Sequence, residues 1–158
     1  INKSINSFEI PITWQIPTVI LLTLIFQKEV ILKAFYIYIF LGLFIAPVFH
    51  QGGSIGYLLT PNFGYLLGLY PLIKIIDNLN KRNKINFGNF LINGFIAICA
   101  LHLTGIFYNF IQIIFFSQFN IFLYNLGKYS VGKIGYHFIM LLPLLLLIKP
   151  IKHLKKSK

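Results

Sequence analysis

Pro47-Val48-Phe49-His50-Gln51-Gly52-Gly53-Ser54, followed by Thr60-Pro61-Asn62-Phe63-Gly64-Tyr65-Leu66-Leu67-Gly68, lies inside a run, residues 34–73, that contains no Lys, Arg, Asp or Glu. At about 20 residues per crossing, a charge-free run of this length can pass a bilayer twice. Non-helical backbone survives at membrane depth only where protein buries it or it lines a cavity. A glycine- and proline-rich turn between two apolar segments therefore reads as a lid or cradle for a substrate.

The composition points the same way. Of 158 residues, 57% are hydrophobic, 17% aromatic and only 11% charged, with a mean hydropathy of +0.77. Soluble domains carry about 25% charged residues, so the chain reads as an all-α integral membrane protein. The net charge of +11 would point to nucleic acid in a soluble protein. Here the basic residues cluster between and after apolar segments, as the positive-inside rule requires, so membrane topology explains them and no nucleic-acid partner is expected. The single cysteine, Cys99, sits in an apolar run; no internal disulfide can form, and a small core residue is the plain reading.

Apolar segments fall near residues 10–27, 34–49, 61–76, 87–109 and 134–148, giving one membrane domain over residues 1–158. The expectation is a bundle of five to six transmembrane helices. The uncertain piece is 110–124, where Gln112, Ser117, Gln118 and Asn120 interrupt the aromatics, a pattern of an interfacial helix or an external loop. If the first span runs inward, the inner side receives Lys28, Lys33, Lys74, Lys81, Arg82, Lys84, Lys149, Lys152, Lys155, Lys156 and Lys158, and only Lys3, Lys128 and Lys133 stay outside. That asymmetry places the tail inside and the residue-50 loop outside. With five spans the N-terminus is outside as well, so a further helix upstream is expected.

Enzyme chemistry has little to work with. Glu9, Glu29 and Asp77 are scattered and form no paired-carboxylate or triad arrangement, and no Gly-x-x-x-x-Gly-Lys-Ser/Thr phosphate loop is present. His50 lacks a second ligand at metal-binding spacing. His102 and His137 lie in apolar runs, where a neutral ring bonded to a neighbouring helix is expected. The polar stretch 78–86 reads as a solvated inner connection.

Pro11-Ile12-Thr13-Trp14-Gln15, Tyr38 with Gly42, Pro47-Val48-Phe49 with its glycines, and Pro61-Asn62-Phe63-Gly64-Tyr65-Leu66-Leu67-Gly68 occur in that order. Together they resemble the BioY family, the biotin-binding substrate-specific components of energy-coupling factor transporters. The resemblance covers about residues 10–77 well and continues through 87–107 with Thr104-Gly105. It implies a six-helix membrane fold with biotin held near the outer face. It also implies a first helix, upstream of Pro11, that docks on the transmembrane coupling subunit. The upstream helix inferred from the charge count is thus the one the resemblance calls for.

Biotin carries a ureido ring that donates and accepts hydrogen bonds, a thioether ring that suits apolar or aromatic walls, and a carboxylate that needs a donor or cation. Pockets for such ligands are mostly apolar with a few placed polar groups, and those groups are costly at membrane depth unless paired. The resemblance makes Thr13, Gln15, Tyr38, Tyr65 and Asn89 candidate hydrogen-bonding groups and Trp14 and Phe49 candidate walls. Gly52 and Gly53 would let backbone N–H groups approach the ligand. Other roles stand beside these: Thr13 and Gln15 as helix caps, Tyr38 and Tyr65 as interfacial anchors.

Many family members open the last helix with Pro-Gly-Asp followed by a lysine, whereas this chain reads Val131-Gly132-Lys133-Ile134-Gly135-Tyr136. Lys133 stands in place of the acid and Tyr136 in place of the lysine. Lys133 could attract a carboxylate or be a solvated loop charge, and Tyr136 is a neutral donor. The function implied is biotin uptake as a multi-pass component of the bacterial plasma membrane, without cofactor, metal or ATPase of its own. Its partners would be a transmembrane coupling subunit and ATPase subunits. The alternatives are transport of another vitamin or a biotin precursor, and a noncatalytic membrane assembly subunit.

Overall fold

The computed structural model describes residues 14–49, 52–81, 86–116 and 119–156, and among them every regular element is helical. Helix α1 is Gln15–Ile25 and α2 is Lys28–Phe44; a short 3-10 turn, Ile55–Leu59, leads to α3, Pro61–Leu67, and α4, Leu69–Lys81. The long α5, Phe87–Phe116, is followed by α6, Phe119–Asn125, a π-helical stretch, Leu126–Val131, then α7, Gly132–Ile139, and α8, Leu141–Lys156.

Local chemistry sets these boundaries. Helix α2 starts after Gln27, whose backbone is extended, and stops at Ile45, just ahead of Ala46-Pro47, where the proline ring disfavours helical geometry in the preceding residue. Pro61 occupies the first turn of α3, where its missing N–H costs nothing. Asn86 caps α5, its Oδ1 accepting the backbone N–H of Asn89 at 2.8 Å, which satisfies one of the orphan donors of a helix start.

Three glycines bring the helices together. A Cβ on Gly64 would run into Tyr108, one on Gly105 into Tyr65, and one on Gly68 would lie 2.6 Å from the Leu101 carbonyl oxygen. The Gly64–Gly68 pair, one turn apart, is a small-xxx-small face that lets α3 and α4 press backbone to backbone on α5. Residues 64, 65 and 68 thus meet 108, 105 and 101 in antiparallel order. The returning α7 and α8 do the same on another side of α5: the His102 and His137 ring centroids are 5.1 Å apart, Phe95 lies 4.7 Å from Phe138 between ring centroids, and Leu141 packs over Gly94. Helix α8 therefore ends near the start of α5, at the end of the molecule opposite the 49–59 segment.

The interior is aliphatic. Leu24, Leu72, Ile76, Phe90, Ala97 and Ile98 are fully buried. The exterior is apolar too: Phe115 is 75% and Leu146 78% exposed, and Phe44, Leu103, Phe107, Ile139 and Leu142 are also on the surface. Surfaces of this kind mark contact with lipid or protein.

Among the described residues one helix, Phe87–Phe115, suffices by length and composition to cross a membrane, with mean hydropathy 2.0. The pair Phe119–Ile139 and Leu141–Ile151, bent by 41°, passes the same test as a unit. Helix α2 has 17 residues, begins six before the apolar segment 34–49 and so takes in Lys28 and Lys33. The apolar segment 61–76 is two helices broken at Gly68. The stretch 110–124, expected as an interfacial helix or loop, is divided between the end of α5 and α6. At about 1.5 Å per residue, the 30 residues of α5 exceed a bilayer core of about 30 Å.

Candidate functional site

A cavity of about 100 Å³ opens between α1, α2, α3, α5 and α7, lined by Gln15, Ile16, Tyr38, Phe49, Tyr57, Asn62, Tyr65, Leu66, Leu69, Leu101, Tyr129, Lys133 and His137. Two helical faces supply most of it. Asn62, Tyr65, Leu66 and Leu69 fall at i, i+3, i+4 and i+7 along α3 and into α4, and Tyr129, Lys133 and His137 recur every fourth residue from the π-helical stretch into α7. Residues at those spacings share a helix face. π-helical turns are rare and concentrate at functional sites; this one carries Tyr129 to the wall and Ser130 behind it.

The segment between α2 and α3 folds over the cavity by packing on Gly42. The Ser54 N–H donates to the Gly42 carbonyl at 2.9 Å, and the Phe49 ring lies against the Gly42 Cα, where a Cβ would collide with it. Phe49 in turn meets Tyr38 edge-on at 5.3 Å and Tyr57 at 4.5 Å between centroids. Offset and edge-to-face aromatic pairs add about 0.5–1.5 kcal/mol each beyond their burial. The Tyr38 hydroxyl donates to the Val48 carbonyl at 3.3 Å, and that of Tyr108 to the Leu58 carbonyl. Burial pushes the Tyr57 phenol above its ordinary pKa, a rise reinforced by Tyr38 and Tyr129 and opposed by its hydrogen bond with Asn62, so Tyr57 stays a neutral hydroxyl.

The deeper wall is a hydrogen-bonded chain. The Tyr65 hydroxyl and Ser130 Oγ are 2.6 Å apart, Ser130 Oγ and His102 Nδ1 3.3 Å, and His102 Nε2 and His137 Nδ1 3.0 Å. Tyr65 and His137, the two ends, both line the cavity. His137 is 5% exposed, and its Nε2 is buried with no protein partner. Lys133 is the one cation on the wall, and no carboxylate lines it among the described residues.

Of the residues singled out from the sequence, the structure brings Gln15, Tyr38, Tyr65 and Lys133 to this one cavity, with Phe49 as a wall. Thr13 and His50 lie outside the described residues. Trp14 is 70% exposed and is not on the cavity wall, because it precedes α1 on the outside of the packing. Asn89 sits in the first turn of α5, its carbonyl accepting from Asn93 Nδ2 at 2.8 Å. It is more than three helical turns from Leu101 on the cavity wall and does not reach it. Tyr136 is 41% exposed and does not line the cavity.

Gly52 and Gly53 do not line the cavity either. The Gly52 N–H is taken by the Phe49 carbonyl at 3.0 Å in a tight turn with Gly52 at φ +122°, a conformation that favours glycine. A Cβ on Gly53 would lie 2.6 Å from the Gly42 carbonyl oxygen and 2.7 Å from the Pro47 Cα. These glycines shape the turn that seats Phe49. Sequence reasoning missed Tyr57, Asn62, Tyr129 and His137 as wall residues; the four-residue spacing of Tyr129, Lys133 and His137 was the legible signal.

The described residues define an all-helical protein that encloses an aromatic, singly basic cavity beneath a glycine-shaped turn. Residues 2–144 match the BioY family model, and the chain belongs to the BioY family. It is 38% identical over 96 residues to a protein of Lysinibacillus sphaericus described as a probable biotin transporter BioY, an overlap of 58% of this chain and 49% of that relative. The chain thus spans about half the length of the curated relative it matches. No solved structure matches it.

Proposed function

We propose that this chain is the substrate-binding component of a biotin uptake system in the bacterial plasma membrane. It would capture biotin at its outer face and pass it inward together with an energy-coupling transmembrane subunit and ATPase subunits. The observation that carries this reading is the meeting of Gln15, Tyr38, Tyr65 and Lys133 on one cavity in a chain of the BioY family. Aromatic walls suit a bicyclic thioether, neutral hydroxyl and amide groups suit a ureido ring, and the Lys133 ammonium suits a carboxylate.

A multi-pass arrangement is supported by the apolar exterior and by the antiparallel run of helices against α5. Lys28 and Lys74 belong to the same end of the molecule as the α8 terminus, and Lys133 belongs to the cavity end, consistent with the positive-inside rule. The cavity, about 100 Å³, is smaller than the roughly 300–1,000 Å³ of ordinary ligand sites, so its walls must give way to admit a ligand of this size.

Equilibrium binding of labelled biotin to the purified protein in detergent is the test. Saturable binding displaced by unlabelled biotin is expected. Its absence, with a folded protein by circular dichroism, would remove the proposal. One observation favours a second reading, transport of a biotin precursor or another vitamin: Lys133 stands where many family members carry an acid. Displacement by such a compound at lower concentration than biotin would select that reading.

A further inference from the structure

We propose that Lys133 and His137 together clamp a ligand carboxylate, and that the Tyr65–Ser130–His102 chain fixes the His137 ring with its proton on Nε2, aimed at that carboxylate. The inference rests on reading the cavity as the ligand site. Its starting point is the orphan nitrogen: His137 Nε2 is buried, has no protein partner, and belongs to a residue on the cavity wall. Leaving such a group unpaired is costly, and in native proteins it calls for an explanation.

The direction of the chain follows from its chemistry. The contact between His102 Nε2 and His137 Nδ1 at 3.0 Å needs one nitrogen to accept, so at least one ring is neutral. At the far end a phenol meets an alcohol at 2.6 Å. The phenol, with an ordinary pKa near 10, is the stronger acid and the better donor, so Tyr65 donates to Ser130. Ser130 then donates to His102 Nδ1, His102 Nε2–H donates to His137 Nδ1, and the remaining proton of His137 sits on Nε2. The reverse order would require the alcohol, the weaker acid, to donate to the phenol, whose oxygen is the poorer acceptor.

Lys133 is one turn before His137 on the same face of α7, and both reach the cavity. Two donors on one helix face, one positive charge and no carboxylate on the described wall fit an acceptor with two oxygens and a single negative charge. Charge-assisted bonds of this kind are about twice as strong as neutral ones. His102 and Ser130 act through His137 and are positioning residues.

The experiment measures affinity for biotin and for biotinamide, which lacks the charge, in wild type, Lys133→Ala, His137→Phe and His137→Gln. Ring-nitrogen chemical shifts of ¹⁵N-histidine protein are recorded in parallel. Expected are a loss of tenfold or more in biotin affinity for Lys133→Ala and His137→Phe, a smaller loss for biotinamide, and substantial recovery in His137→Gln, whose amide nitrogen replaces the Nε2 donor. The shifts should report His137 protonated at Nε2, and Ser130→Ala should move population to the Nδ1 form and lower biotin affinity several-fold.

Wild-type protein that binds no biotin would overturn the cavity reading on which this inference stands. Wild type that binds while His137→Phe binds equally well would overturn the clamp alone. A wild-type His137 protonated at Nδ1 would overturn the relay. If His137→Phe fails to fold, His137→Gln and the nitrogen shifts still decide.

Discussion

Replacing Gly68 by Ala adds a single methyl group at a close backbone crossing between the α3–α4 break and α5. The backbone there is ordinary right-handed helical, φ −61° and ψ −16°, so alanine fits the conformation and only the neighbours object. The new Cβ would lie 2.6 Å from the Leu101 oxygen and 2.9 Å from its Cα, where ordinary contacts begin at 3.4 Å. The difference, 3.4 − 2.6 = 0.8 Å, must come from moving α3 and α4 away from α5, because both obstacles are backbone.

A gap of that size forfeits a quarter to a half of each dispersion contact across the seam, and overpacking in a tight interior costs about 1–3 kcal/mol. Helix propensity returns at most about 1 kcal/mol, leaving a net loss of up to about 2 kcal/mol. Gly135 provides the control: it lies within α7 and a Cβ there meets nothing within 4 Å, so Gly135→Ala should stabilise by about 0.5–1 kcal/mol. Denaturant unfolding of the purified protein in micelles, followed by circular dichroism, compares the two. Biotin affinity should also fall in Gly68→Ala, since Tyr65, Leu66 and Leu69 move with the seam. Equal stability changes in the two variants would refute the close-crossing argument.

Two further outcomes are expected. Gly52→Val and Gly53→Val should weaken biotin binding while membrane expression holds, the first by forcing a β-branched residue to φ +122° and the second by driving a Cβ into Gly42 and Pro47, at about 1–3 kcal/mol for such backbone strain. Both unseat Phe49, so unchanged affinity in both would show that the turn only connects α2 and α3. For topology, a cysteine at Ser54 in a background without Cys99 should react with an impermeant maleimide in intact cells; labelling only after lysis would reverse the proposed orientation.

The sequence by itself determined the helical class, because long uninterrupted apolar runs favour helices, which satisfy every backbone hydrogen bond within the segment. It also shows which stretches carry the positive charge, the asymmetry from which the proposed orientation is argued. Gln15, Tyr38, Tyr65 and Lys133 were legible as polar groups in a setting where polar groups need partners.

Their convergence was not legible, and neither were the roles of their neighbours. Gly52 and Gly53 read as an approach for ligand, yet they shape the turn that seats Phe49, because only the packed structure puts Gly42 against Phe49 and Gly53. His102 and His137, 35 residues apart, read as neutral rings each bonded to a neighbouring helix, with nothing in the sequence to join one to the other. The antiparallel return of α7 along α5 places their rings 3.0 Å apart nitrogen to nitrogen and joins both to Ser130 and Tyr65. A hydrogen-bonded chain drawn from three helices and a π-helical turn depends on distances that close only when the Gly64, Gly68 and Gly105 seam has formed, and no periodicity within one segment encodes it.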